Sequence, residues 1–244
     1  MPALTRVVRR AARPLARPLT GVLGTVSAVA TETPEVVLTF DDGPEPGGTD
    51  RVLAALAEHG ATATFFVLLT RVRRHRSLLD EVVAAGHEIA LHGVDHQALT
   101  GFSPAEVRRR TAAGRAELED AIGVAVRWFR PPYGRQTLGS WRAVRSTGLE
   151  PVLWGPTTMD WCDLPQAERR EIAQRGVAPG CIVLAHDGFA TTIDGVDDGP
   201  APVLDRGELI GQVLQDHAAR GLRATSLGAA LDTGRLVRRV SFRS

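Results

Sequence analysis

With 244 residues, 43% hydrophobic and 23% charged, the chain has enough apolar material to bury a sizeable core as one large domain or two small ones. A net charge of +1 excludes a global electrostatic drive toward nucleic acid or an anionic membrane surface. No run is long and apolar enough to span a bilayer, and two cysteines, Cys162 and Cys181, are too few for a disulfide framework.

The first 18 residues hold five arginines (Arg6, Arg9, Arg10, Arg13 and Arg17) and no acid, ahead of the mildly apolar LTGVLGTVSAVA at 19–30. Two readings compete here. As a signal peptide ending in AVA, the segment would mark a secreted or cell-envelope protein. Gly21 and Gly24 interrupt that run, and VSAVA, the polar turn TETPE and VVLTF read together as a β-hairpin. The hairpin is the favoured reading, and with it a cytoplasmic location.

Past residue 35, strand-like and helix-like runs alternate. The strands are VVLTF (36–40), ATFFVL (63–68), EIAL (88–91), VRWF (126–129), PVLW (151–154), CIVLA (181–185) and LRATS (222–226). Helical patterns fill the intervals, several ending in glycine, and Ser103-Pro104-Ala105-Glu106 reads as a capping box. Alternation of this kind predicts an α/β fold with a parallel sheet, a (β/α) barrel one strand short of the usual eight, with an open doubly wound sheet as the runner-up. No glycine-rich phosphate fingerprint follows any strand, which argues against the nucleotide-binding version. The one long irregular stretch, DGFATTIDGVDDGPAPVL after CIVLA, is long enough to be functional. Its acids Asp194, Asp197 and Asp198 read as a solvated loop, or alternatively as a border to a cleft. His59, His75, His87 and His217 read as surface or helix-end residues.

Barrel sites lie at the C-terminal ends of the strands. VVLTF is followed by Asp41 and Asp42; EIAL by His92, with His96 four residues on; VRWF by Arg130 and the turn PPYG. PVLW leads through GPTTM to Asp160 and Trp161, and CIVLA to His186 and Asp187. Taken alone, His92 and His96 read either as two surface histidines or, by their spacing, as two ligands on one turn or compact loop. With a carboxylate from a neighbouring strand end they make a two-histidine, one-carboxylate metal site that leaves positions open. One aspartate of the pair then remains to act as a base toward a water, and the cation offsets the repulsion between the two carboxylates. His186 is the best proton donor, with Asp160 placed to hold its other ring nitrogen. Arg130 either orients the base aspartate or is a structural ion pair.

Taken in order, these stretches resemble the polysaccharide deacetylase family, which includes chitin-oligosaccharide and peptidoglycan deacetylases. The resemblance rests on Thr39-Phe40-Asp41-Asp42-Gly43-Pro44, His92…His96, Arg130-Pro131-Pro132-Tyr133-Gly134, Asp160-Trp161 and Leu184-Ala185-His186, spanning about residues 35–190. It implies a distorted (β/α)7–8 barrel and a divalent metal, usually zinc, with cobalt or nickel as alternatives. It also implies roles: Asp41 as base; Asp42, His92 and His96 as ligands; His186 as acid; Arg130 orienting Asp41; and Asp160 tuning His186. Leu184 and Trp161 would shape an acyl pocket, and the backbone N–H at Tyr133 would face the oxyanion. Two positions depart from the family pattern, Gly93 where a serine or threonine is usual and Thr157 where an aspartate is frequent.

The expected organisation is therefore a basic N-terminal segment at 1–23, a catalytic domain at 24–236 and a C-terminal tail at 237–244. The expected reaction is removal of an acetyl group from an amide nitrogen, on an acetylated amino sugar, oligosaccharide or glycan precursor. A deformylase, an O-acetyl esterase or a small-amide hydrolase of the same family is the alternative. Outside that class stand a non-haem iron oxygenase and an inactive sugar-binding module; the paired base and acid argue against both.

Overall fold

The computed structural model describes residues 23–242, so the basic segment at 1–23 lies outside the described residues except for Leu23. In chain order the elements are β1 (Thr25–Ala30), β2 (Glu35–Asp41), α1 (Thr49–Glu58), β3 (Thr64–Leu68), α2 (Leu69–Arg74), α3 (Arg76–Ala84), β4 (Glu88–Gly93), α4 (Pro104–Ile122) and β5 (Trp128–Phe129). They continue with α5 (Leu138–Arg145), β6 (Glu150–Pro151), α6 (Gln166–Ala173), β7 (Ile182–His186), α7 (Arg206–Ala219), β8 (Arg223–Thr225), α8 (Leu227–Ala230) and β9 (Arg235–Arg239).

Every residue of β2 is buried, as a central strand of a parallel sheet requires. Its pleat sends Val36, Leu38 and Phe40 into the layer beneath the helices. Val37 faces the other way, into an inner cluster with Phe66, Ala90, Trp128 and Ile182. By the same alternation Thr39 and Asp41 continue the inner series, and Asp41 ends it. The helices cover the outer layer with apolar stripes: α1 buries Val52, Ala55 and Leu56, and α7 buries Leu209, Ile210, Val213 and Leu214. At the start of α4, Ser103 Oγ accepts the Glu106 N–H. The Glu106 carboxylate pairs with Arg109 instead of returning to the cap, so only half of the expected capping box forms. Gly123 ends α4 at φ 74°, a conformation open to glycine at little cost.

The main sheet runs β6-β5-β4-β3-β2-β7, with β8 also paired to β2, and its pairings are parallel. β5 and β6 are only two residues long, shorter than VRWF and PVLW suggest. Between β6 and β7 the regular ladder is missing and irregular backbone fills the gap. Thr157 bridges Leu184, the Gly155 N–H donates to Ile182 O, and the Leu184 N–H donates to Pro156 O. The result is the distorted barrel, seven strands in a sheet bent round on itself.

The strand expected at VSAVA exists, but its partner is not β2. Both edges of β2 are occupied, by β3 and β8 on one side and β7 on the other, so no edge is free for a hairpin. β1 instead pairs antiparallel with β9, from Thr25 opposite Arg239 to Ala30 opposite Arg235, and its Val26 and Val29 join the inner cluster. β9 thus crosses the boundary expected at 236/237, and Phe242 packs edge-on against Trp141. Cys162 and Cys181 are both free.

Candidate active site

At the end of β2 the chain turns sharply out of regular structure. Asp42 takes a left-handed conformation, φ 76°, which aspartate tolerates better than most residues. That turn separates the two carboxylates. Asp41 Oδ1 accepts from Arg130 Nη1 at 2.6 Å, whereas Asp42 Oδ1 lies 3.4 Å from His92 Nε2 and 3.5 Å from His96 Nε2. Asp187, the residue after β7, accepts from the Gly43 N–H at 3.1 Å and from the Thr49 hydroxyl at 2.6 Å. A Cβ at position 43 would collide with that carboxylate, so the turn needs glycine there. Burial carries the Asp187 carboxyl up to about 7.

Asp42, His92 and His96 form a buried group whose ligand atoms all lie within 4.8 Å of one another. The donor set fits a divalent cation on two further observations. Asp42 Oδ1 is buried without a hydrogen-bond partner. His92 Nδ1 lies 2.9 Å from the Arg130 carbonyl, an arrangement in which Nδ1 carries the proton and Nε2 keeps its lone pair for Asp42's side of the cleft. Burial pushes the Asp42 carboxyl up, but His96, His92 and His186 together hold it well below the usual carboxylate range. Burial lowers both histidines; Asp41 and Asp42 outweigh it at His92, which is raised, and not at His96, which is lowered.

Arg130 is fully buried with its guanidinium over the Phe66 ring, 4.0 Å from the centroid, and Nη1 also donates to Thr39 Oγ1 at 2.9 Å. It therefore has one orientation, and Asp41 is fixed by it. On the opposite wall, Asp160 accepts twice from His186, through the backbone N–H and through Nδ1, both at 2.7 Å. Arg206 Nη1 adds contacts to Asp160 Oδ2 and His186 O. Burial lowers the His186 imidazole, but Asp160 first, and then Asp42 and Asp41, carry it up to about 9. Thr157, at the position that departs from the family pattern, accepts the Met159 N–H and so braces the left-handed Met159 that delivers Asp160.

All ten residues singled out in the sequence meet here. Asp41, Asp42, His92, His96, Tyr133, Trp161, Leu184 and His186 line one cleft of about 360 Å³, and Arg130 and Asp160 are buried behind it. Sequence reasoning missed Arg135, Trp154, Phe189 and Ala190 on the cleft wall. It also missed Arg71. This arginine, on short α2, is buried and pairs with Asp194 at 2.7 Å and Glu45 at 2.8 Å, and donates to the Phe189 carbonyl. Asp194 is thus fully buried and not part of a solvated loop, and its carbonyl accepts the His96 N–H at 2.9 Å. Asp198 borders the cleft and Asp197 is exposed. Gly93 has a local reason: a Cβ there would lie 2.5 Å from the Asp95 carbonyl, so the loop from His92 to His96 is wound too tightly for a side chain.

A parallel α/β barrel with a two-histidine, one-carboxylate centre, flanked by an arginine-held carboxylate and a carboxylate-held imidazole, defines a class of hydrolase-like sites. Comparison with known proteins places the chain within it: residues 28–152 match the family model described as polysaccharide deacetylase, and the chain belongs to that family. It is 34% identical to a chitooligosaccharide deacetylase of Sinorhizobium fredii, over 80% of this chain and 97% of that one. It is 32% identical to a peptidoglycan-N-acetylglucosamine deacetylase of Listeria monocytogenes, over 74% of this chain and 40% of that one. Among solved structures it resembles a family 4 acetyl xylan esterase from Clostridium thermocellum in complex with a cobalt ion, with TM-score 0.69 and 29% identity over 81% of this chain and 90% of that one.

Proposed function

We propose that this protein is a metal-dependent hydrolase that removes the acetyl group from the nitrogen of an amino sugar in an oligosaccharide or glycan. The observation that carries the reading is the pairing of two differently held proton carriers, Asp41 and His186, across one metal-binding group in one cleft. The names of the relatives, deacetylases of chitooligosaccharide and of peptidoglycan, support the substrate class.

Asp42, His92 and His96 would hold the ion, zinc in our reading with cobalt or nickel as substitutes, and it would supply Lewis acidity to a water and to the substrate carbonyl. Asp41, held by Arg130, accepts a proton from the attacking water as the new C–O bond forms. The N–H of Tyr133, which stands in a left-handed turn at φ 58° on the cleft wall, would donate to the developing oxyanion. His186, charged at neutral pH and aligned through Nδ1 by Asp160, then gives its Nε2 proton to the amide nitrogen as the C–N bond breaks. Acetate and a free amine leave. Leu184 and Trp161 form the apolar floor on which an acetyl methyl would sit, and Trp161 also packs edge-on against His186 at 5.2 Å.

The similarity to an acetyl xylan esterase favours one second reading, hydrolysis of an O-acetyl ester by the same groups. The test is an assay for acetate and free amine on N-acetylated oligosaccharides, N-acetylated monosaccharides, formamides and O-acetylated xylan, with zinc, cobalt or nickel added. Amine release from the oligosaccharides is expected, and acetate without amine from xylan alone would establish the esterase. Asp41→Asn is expected to lower turnover by roughly 10²–10⁴-fold; full activity in that variant would remove Asp41 from the base role.

A further inference from the structure

The two histidines that face Asp42 are held unequally. His92 Nδ1 faces the Arg130 carbonyl at 2.9 Å, and the Nε2 atoms of both rings face Asp42 Oδ1 at 3.4 and 3.5 Å. His96 is buried too, 7% exposed, but its Nδ1 has no hydrogen-bond partner among the described residues. A buried ring nitrogen left without one is destabilising, because it has lost its water and gained no partner. The Asp198 carboxylate lies 4.0 Å from that nitrogen. It is held there by the Tyr133 hydroxyl, which donates to Asp198 Oδ2 at 2.6 Å, while the Tyr133 ring packs edge-on against His96 at 4.4 Å. The loop that carries Asp198 is already tied to the same histidine, because the His96 N–H donates to Asp194 O.

We infer that Asp198 is the outer partner of His96, a positioning residue through which the loop after β7 completes the metal centre. This rests on the reading that Asp42, His92 and His96 hold a divalent ion. A closing movement of about 1 Å brings Asp198 Oδ2 within hydrogen-bond reach of Nδ1. Nδ1–H then donates to the carboxylate, which fixes the tautomer, keeps the Nε2 lone pair toward Asp42 and makes the ring a stronger donor. The charge balance favours the same arrangement. Asp42 brings one negative charge, Asp41 is already spent on Arg130, and Asp198 adds a second charge through the imidazole.

The experiment is zinc affinity of the full chain, by competition with a chromophoric chelator, for the wild type, Asp198→Ala and Asp198→Asn. Each apoprotein's melting temperature is recorded beside it. Asp198→Ala is expected to bind zinc roughly 10–100-fold more weakly, with Asp198→Asn, which keeps an acceptor oxygen, intermediate. In the zinc-loaded wild type the His96 Nδ1–H should give a slowly exchanging proton resonance that is lost in Asp198→Ala. A purely structural role for Asp198 would move the apoprotein melting temperature and leave that resonance in place. Equal zinc affinity in wild type and Asp198→Ala overturns the inference; should the alanine variant not fold, equal affinity in Asp198→Asn does so. A wild type that binds no zinc overturns the metal reading itself.

Discussion

Asp41 and Asp42 are chemically identical neighbours, and their surroundings give them different jobs. The left-handed turn at Asp42 sends its carboxylate toward two imidazoles, while the strand pleat leaves Asp41 against a guanidinium with no freedom to move. His92 and His186 divide in the same way. One is held through Nδ1 by a backbone carbonyl and offers a lone pair at Nε2; the other, carried up to about 9 by Asp160 and then by Asp42 and Asp41, is charged at neutral pH and so holds a proton at Nε2 as well as at Nδ1. His92→Ala should therefore purify without bound metal, whereas His186→Ala should keep its metal and lose turnover by at least about 10²-fold. Metal content by elemental analysis, beside amine release, separates the two. A His186→Ala protein that loses metal as well would make His186 a ligand and leave the proton donor unassigned.

At the scale of elements, the site is assembled by strand ends that the sequence displays openly and by one loop that it does not. Four of the five strand ends are short apolar runs that stop at an aspartate, a histidine or an arginine, the fifth, PVLW, reaching Asp160 through GPTTM, and that pattern is visible in one dimension. Partnership is not visible. Arg71 stands in LTRVRR among three arginines, on a helix that begins with no turn after β3, and nothing in that run sets it apart from Arg73 and Arg74. Only the fold shows its guanidinium meeting Asp194, 123 residues away, and fixing the loop that touches His96. β1 was legible as a strand but not as the mate of β9, because the choice depended on both edges of β2 being taken. Arg71→Met should leave the Asp194 carboxylate buried and unpaired, a loss of about 3–5 kcal/mol. For a chain of this size that lowers the melting temperature by roughly 6–20 °C. A change of less than about 2 °C would show the loop to be held by its other bonds, Thr70 and Thr191 to Asp194.

Across the whole molecule the candidate catalytic groups sit at the C-terminal ends of the strands, and stability is set elsewhere, in the helical layer and its buried polar exceptions. His217 is one of them. It falls in the last turn of α7, as a helix-end histidine should, but it is fully buried and neither ring nitrogen has a hydrogen-bond partner among the described residues. Burial, with Arg220 adding to it and Asp216 opposing it, lowers its pKa to about 4 from an ordinary 6.5. Between those values the unfolded chain takes up a proton at this histidine and the native chain does not. Stability therefore rises with pH through the window and is lost as pH falls from 6.5 toward 4, by on the order of 3 kcal/mol in all. Replacing the imidazole with an apolar side chain of similar volume, His217→Leu, removes that proton from both states. Melting temperatures followed from pH 7 to pH 4 should fall further in the wild type than in His217→Leu, by roughly 6–12 °C. Parallel curves would mean that the native chain accepts the proton at His217 without penalty, and the acid sensitivity would then belong to the carboxylate pairs that both proteins share.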